Sequence, residues 1–260
     1  MSMANTFTAG MLAIGDELLS GRTKDKNIGR LAEMLVLAGI DLKEVRIVSD
    51  EQDAIVEALN ALRARYTYVF TSGGIGPTHD DITADAVSAA FGVACIHDPD
   101  AMTLLAEMYA RRGMEFSEAR KRMARMPEGS RHIANPVSTA PGFIIGNVHV
   151  MAGVPSVFEA MLDNVIPTLE GGAKLLSVTV SCPFGEGDIG TPLAAVQKNH
   201  PATSIGSYPQ FDGVKFSTEL VIRGREMIAI DAAKADVEDM ITSIAMDKEQ
   251  KAQEIGGQVA

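Results

Sequence analysis

Residues 7–15, FTAGMLAIG, form a short apolar run that ends in Gly15-Asp16-Glu17. Such a run is too short for most helices and suits a strand buried on both faces of a parallel sheet. From Asn27, the apolar positions Ile28, Leu31, Leu35 and Ala38 recur at helical spacing, and Gly39 supplies the stop. DLKEVRIVSD (41–50) then alternates like a strand. Ile55, Leu59 and Leu62 mark a second helix, and YTYVFTSGG (66–74) reads as a third strand. Strand, helix, strand, helix, strand requires right-handed crossovers, hence an α/β fold with a doubly wound, mainly parallel sheet.

After Gly171-Gly172 the pattern changes. KLLSVTVSC reads as a strand, DIGTPLAAVQKNH as a helix, TSIGSYPQF and VKFSTELVIRG as strands, and AIDAAKADVEDMITSIAM as a helix. This order predicts a small α+β domain over residues 171–260 after an α/β domain over residues 1–170.

The α/β topology gives one stretch, TSGGIGPTHDDITADA (71–86), a location. It follows the third strand at the carboxyl edge of the sheet, where open α/β sheets bind their ligands. The first strand delivers Asp16 and Glu17 to the same edge, the second Ser49 and Asp50, and the loop itself Asp80 and Asp81. Gly73, Gly74 and Gly76 let the backbone turn sharply and approach a ligand, with their N–H groups forming an anion cradle. Ser72 and Thr78 flank that cradle.

Two readings of the loop stand at this level. Thr78-His79-Asp80-Asp81 fits a capping box, with Thr78 capping a helix and Asp81 reaching back from the N3 position. Capping needs only one aspartate. A second carboxylate in an anion cradle repels a phosphate unless a cation sits between them, which points to a hard, oxygen-preferring ion such as Mg²⁺. The loop matches neither the Walker A pattern nor GxGxxG. His79 abuts the carboxylates and reads as an exposed loop residue. His97, His132, His149 and His200 have no zinc spacing.

Charge narrows the partners. The net charge of −11 argues against nucleic-acid binding, which relies on basic surface. Residues 111–131 are the local exception, with seven Arg or Lys against three Glu. They form either the solvated face of a helix or a basic wall facing an anionic substrate. No apolar run reaches the roughly 20 residues that span a bilayer, and MSMANTFTAG does not read as a signal peptide. Cys95 and Cys182 lie far apart and are expected to be reduced, buried thiols of a cytoplasmic protein. A homo-oligomer with no membrane partner is expected.

The segments AIGDELLSG, TSGGIGPTHDDITADAV, NPVSTAPGF, AGVPSVFEAM and IGSYPQF occur in this order. In this the sequence resembles the competence/damage-inducible protein A (CinA) family. The N-terminal part of that family is a molybdopterin-binding-type domain, shared with molybdenum-cofactor biosynthesis proteins and with a domain of eukaryotic FAD synthases. The resemblance covers nearly the whole chain and implies the α/β sandwich with its pocket floored by the glycine loop. In the molybdenum-cofactor branch, aspartates matching Asp50 and Asp81 are associated with metal-dependent adenylyl transfer to molybdopterin. In the competence-protein branch, the equivalent site is associated with metal-dependent hydrolysis of a nucleotide pyrophosphate such as ADP-ribose. The resemblance thus implies Asp50 and Asp81 as catalytic groups, and their place at the same sheet edge adds Asp80 and Asp16 beside Asp81 as weaker candidates for metal-side carboxylates. Ser72, Gly73, Gly74, Gly76 and Thr78 would bind the phosphate of a nucleotide or pterin. The cofactor expected is a divalent metal, with Mg²⁺ the first choice and molybdopterin a further ligand.

Position 79 is usually proline in the competence-protein branch and is His79 here. Met151-Ala152-Gly153-Val154-Pro155 keeps only the glycine and second proline of the usual turn. Full-length members continue into an amidohydrolase domain; this chain ends at Ala260, so the resemblance predicts no such activity. The region after Gly171 resembles a KH-like fold, and KH modules clamp single strands with a GXXG loop. Gly187-Asp188-Ile189-Gly190 has that spacing, but eight basic against twelve acidic residues from Gly171 onward favour an interaction or pocket-closing domain.

Overall fold

The computed structural model describes residues 6–257. The chain divides into two compact units, Met1–Gly172 and Ala173–Ala260. In the first, β1 (Phe7–Ile14) leads into a one-turn helix α1 (Asp16–Leu19). Then come α2 (Asn27–Leu37), β2 (Ile40–Val48), α3 (Gln52–Arg65), β3 (Tyr68–Ser72) and α4 (Thr83–Phe91). β4 (Cys95–His97), α5 (Pro99–Arg111), α6 (Glu118–Lys121), β5 (Arg125–Pro127) and β6 (Arg131–Ile133) follow. β7 (Gly142–Ile145), β8 (Val148–Met151) and α7 (Pro155–Val165) complete it.

The main sheet has the order β2-β1-β3-β8-β7-β6. β1 pairs in parallel with both β2 and β3, and β3 with β8, while β7 runs antiparallel to β8 and β6. The alternation of β1 explains why its sequence is apolar from Ala9 onward. Leu12 and Ile14 enter one core with Leu59, Val87 and Leu105, and Ala9 and Met11 enter the other with Leu31, Leu35 and Phe158. Helices therefore cover both faces, as a doubly wound sheet requires. The β6–β7–β8 meander has strands of three and four residues, too short for a two-residue period to register in the sequence.

The second unit contains β9 (Leu176–Cys182), α8 (Glu186–Asn199), β10 (Thr203–Phe211), β11 (Phe216–Gly224) and α9 (Met227–Gly257). Its antiparallel sheet, ordered β10-β11-β9, packs Leu220 and Ile222 against Ile189, Ile230 and Val237. It is the small α+β region that the pattern predicts. Gly187–Gly190 lies inside the first turns of α8, so it is helix and not a clamp loop between helices. Both cysteines are free; Cys182 is buried, but Cys95 is only half-buried. Among the described residues no helix is long and apolar enough to cross a membrane.

Candidate functional site

The glycine turn is locked to its neighbours. Gly73 and Gly74 have φ of 111° and 67°, a region that residues with a Cβ rarely enter. A Cβ on Gly73 would lie 2.2 Å from the Ile14 carbonyl oxygen, and one on Gly74 2.1 Å from the Thr83 hydroxyl. Thr83, fully buried, donates its hydroxyl to the Gly73 carbonyl at 2.9 Å and its amide to the Gly74 carbonyl at 3.0 Å. The Gly73 amide donates to Met151 O at 3.2 Å, so it is not available to a ligand. The amides of Gly74, Ile75 and Gly76 have no backbone partner among the described residues.

A cavity of about 570 Å³ opens beside this turn at the carboxyl edge of the sheet. Gly73, Gly74 and Gly76 line it together with Asp50, Asp80, Asp81 and Glu17, while Met123, Val154 and Val157 supply apolar lining. No Lys, Arg or His is among its lining residues. A cavity of about 610 Å³ in the second unit has Phe184, Phe216, Glu186 and Asp188 in its wall. Its acids are already engaged: Glu186 accepts the Ser207 hydroxyl, and Asp188 pairs with Lys248 at 2.7 Å. In the first cavity Asp81 accepts from Thr78, Asp50 accepts the Asp16 amide and His79 lies 3.9 Å from Asp80, but none of its acids pairs with a lysine or arginine side chain among the described residues.

Asp50 shows the consequence. It accepts the Asp16 amide at 3.0 Å, at the point where β1 gives way to α1. Burial pushes its carboxyl above the ordinary carboxylate range; the Asp16 amide opposes the shift, and the charges of Asp16, Glu17 and Asp80 add to it. His79 and Arg122 stand near Asp80 from outside the cavity, but with no lysine, arginine or histidine lining it the crowded carboxylates favour a cation among them. Among the described residues, no group of three or more His, Cys, Asp or Glu forms a ready-made ion cage. Mg²⁺ does not need one, because it is commonly held by one or two carboxylates plus waters and substrate phosphates. The oxygen donors present fit such an ion.

The capping-box reading fails for a local reason. α4 begins at Thr83, and the residue before it, Ile82, makes no side-chain cap. Thr78 and Asp81 instead close an exposed turn ahead of the helix: Asp81 Oδ2 accepts the Thr78 amide at 2.8 Å and the Thr78 hydroxyl as well. Thr78 is therefore engaged with Asp81 and does not line the cavity. Ser72 is buried and accepts the Asn27 side-chain amide at 2.7 Å. Asp16 begins α1 instead of ending β1 and meets the site through its backbone, not as a lining side chain. The remaining candidates, Asp50, Asp80, Asp81, Gly73, Gly74 and Gly76, converge on the cavity.

Three contributors were not visible in the sequence pattern. Asn27 also donates to the Gly153 carbonyl at 2.8 Å, tying the start of α2 to the turn before α7. Thr83 anchors the glycine turn. Arg122 donates from Nε to Thr78 O at 3.0 Å and from Nη2 to Asp81 O at 3.1 Å. The basic stretch 111–131 is thus neither one helix face nor a wall lining the cavity. Lys121 pairs with Glu118, Arg120 lies over the Tyr109 ring, and Arg125 pairs with Asp85.

Residues 10–171 match the family described as "Probable molybdopterin binding domain". The chain belongs to that family. Residues 174–250 of this molybdopterin-binding-domain protein match a second family, the FAD synthase middle domain. A protein of Aeropyrum pernix is 31% identical over 258 residues, covering 91% of this chain and 96% of its own length. A CinA-like protein of Desulfosudis oleivorans is 34% identical over 214 residues; the match covers 78% of this chain and 52% of that protein, about half its length. The solved structure of CinA from Thermoplasma acidophilum, whose function is given as unknown, is 31% identical with a TM-score of 0.58. It covers 63% of this chain and 98% of its own.

Proposed function

We propose that the first unit binds a nucleotide diphosphate together with a divalent cation and hydrolyses its phosphoric anhydride, with an ADP-ribose-like molecule as substrate. One observation supports this reading: a glycine turn and four acidic residues line the same cavity, and no lysine, arginine or histidine lines it. A phosphate entering alone would meet four acidic residues and no basic side chain in the lining, whereas a phosphate entering with a cation would satisfy both the turn's amides and the acids. The amides of Gly74, Ile75 and Gly76 would hold phosphate oxygens. Asp50 and Asp81 would hold the ion and orient the attacking water, with Asp80 at the rim, and Asp16 fixes Asp50 from behind through its amide. A divalent ion held there would polarise the anhydride and lower the pKa of water. Water adds to one phosphorus, the bridging oxygen leaves on the other phosphate, and two phosphomonoesters result. The apolar lining at Met123, Val154 and Val157 receives the ring of the base.

The molybdopterin-binding-domain match favours a second reading, a pterin phosphate as ligand or as acceptor of an adenylyl group. The same cradle and ion serve either. The discriminating experiment incubates the chain with ADP-ribose, and with ATP with and without molybdopterin, each with Mg²⁺, Mn²⁺ or Co²⁺. Release of AMP from ADP-ribose supports hydrolysis, and adenylyl transfer that requires molybdopterin supports the second reading. Calorimetric binding with no product leaves a nucleotide-binding module; neither binding nor product removes the cavity from consideration.

A further inference from the structure

Arg122 stands 44 and 41 residues from Thr78 and Asp81, yet its guanidinium grips the carbonyls of both. These carbonyls belong to the turn whose other bonds join Thr78 to the Asp81 carboxylate. One planar fork therefore holds both ends of the turn that carries Asp80 and Asp81. Arg122 does not itself line the cavity; the next residue, Met123, does, and it packs against the core that includes Leu105 and Val87. The 122–123 step is thus anchored in the core on one side and attached to the acidic turn on the other.

We propose that Arg122 is the positioning residue of this cavity: its guanidinium holds the Thr78–Asp81 turn so that Asp80 and Asp81 stay at the rim where a cation-bound phosphate would sit. This rests on the reading of the cavity given above. Without the fork, the turn has only its internal bonds and the exposed segment from Pro77 to Asp80, and the two carboxylates sample positions away from the ligand. A lysine cannot replace the fork, because an ammonium lacks the fixed planar geometry that meets two carbonyls at once.

Two measurements on the full chain test this. Amide hydrogen exchange without ligand should show residues 76–82 exchanging faster in Arg122→Ala than in the wild type, and unchanged exchange there overturns the proposal whatever the ligand. Titration calorimetry with ADP-ribose in the presence of Mg²⁺, at a temperature where every variant is folded, should show about tenfold or greater weakening in Arg122→Ala. Arg122→Lys should recover only a minor part of that loss. Full affinity in Arg122→Ala, or full rescue by Arg122→Lys, overturns the proposal alone. No binding by the wild type overturns the cavity reading and the proposal with it.

Discussion

The carboxylate of Asp81 folds back onto Thr78, taking its amide at 2.8 Å two residues before α4 begins. This bond is confined to an exposed turn, so Asp81 supports the helix only indirectly. Asp81→Asn keeps an oxygen acceptor and should change stability by no more than about 1 kcal/mol. It removes one negative charge from the cavity, and Mg²⁺-dependent turnover of ADP-ribose should fall about 100-fold. Turnover assays beside a thermal melt check this; a stable variant with full activity would reduce the turn to local structure.

Asp50 sets the pH dependence. Its carboxyl titrates above the ordinary range in the folded protein, so the folded state holds that proton more tightly than the unfolded chain does. The stability linked to it is present below the ordinary carboxylate pKa and is lost as pH rises through the raised value. Affinity for Mg²⁺ with ADP-ribose should move the opposite way, rising over the same window as the ionised form appears. Asp50→Asn should be at least as stable as the wild type at pH 7 and should lose that rise. Calorimetry across a pH series, with urea midpoints alongside, checks both. A flat wild-type affinity profile would remove Asp50 from the ion's surroundings.

Gly74 and Gly92 share a φ of 67° but not their surroundings. A Cβ on Gly92 meets nothing within 4 Å, whereas one on Gly74 meets the Thr83 hydroxyl at 2.1 Å. Gly92→Ala should cost about 1–2 kcal/mol, the left-handed backbone penalty alone. Gly74→Ala should cost more, because Thr83 must release its bond to Gly73 as well. Urea denaturation of the two variants in parallel decides it, and equal losses would show that Thr83 does not lock the turn.

His149 is buried in β8, stacked on Phe70 with ring centroids 5.1 Å apart, and its Nδ1 has no hydrogen-bond partner among the described residues. Burial pushes its imidazole down to about 4. A depressed histidine contributes stability that is fully present above the unfolded value of about 6.5 and declines as pH falls toward the folded one. The swing should be about 3 kcal/mol between pH 7 and pH 4. His149→Leu should unfold less steeply with acid over that window. An identical acid dependence of the urea midpoint in both proteins would assign the loss to other groups.

Much of this architecture is written in short-range pattern. From Ala9 to Ile14 the run is apolar on both parities, and Met11 and Leu12, adjacent in sequence, are each fully buried on opposite faces of the sheet. The acidic ends of the first two strands and the glycine loop fall on one edge because parallel crossovers leave no other arrangement. Those relations act over a few residues or follow from chirality, so the sequence alone determines them. The function of individual polar groups does not follow in that way. Thr78 and Asp81 have the spacing of a capping box, but the helix starts beyond them because Thr83 is held by the Gly73 and Gly74 carbonyls. Gly73 lines the cavity, yet its amide belongs to Met151 on the neighbouring strand. Asn27 reaches Gly153 over 126 residues, and Arg122 reaches Thr78 over 44. A hydrogen bond forms between whichever donor and acceptor the packed elements bring within about 3 Å, and no local period encodes which distant residue that will be.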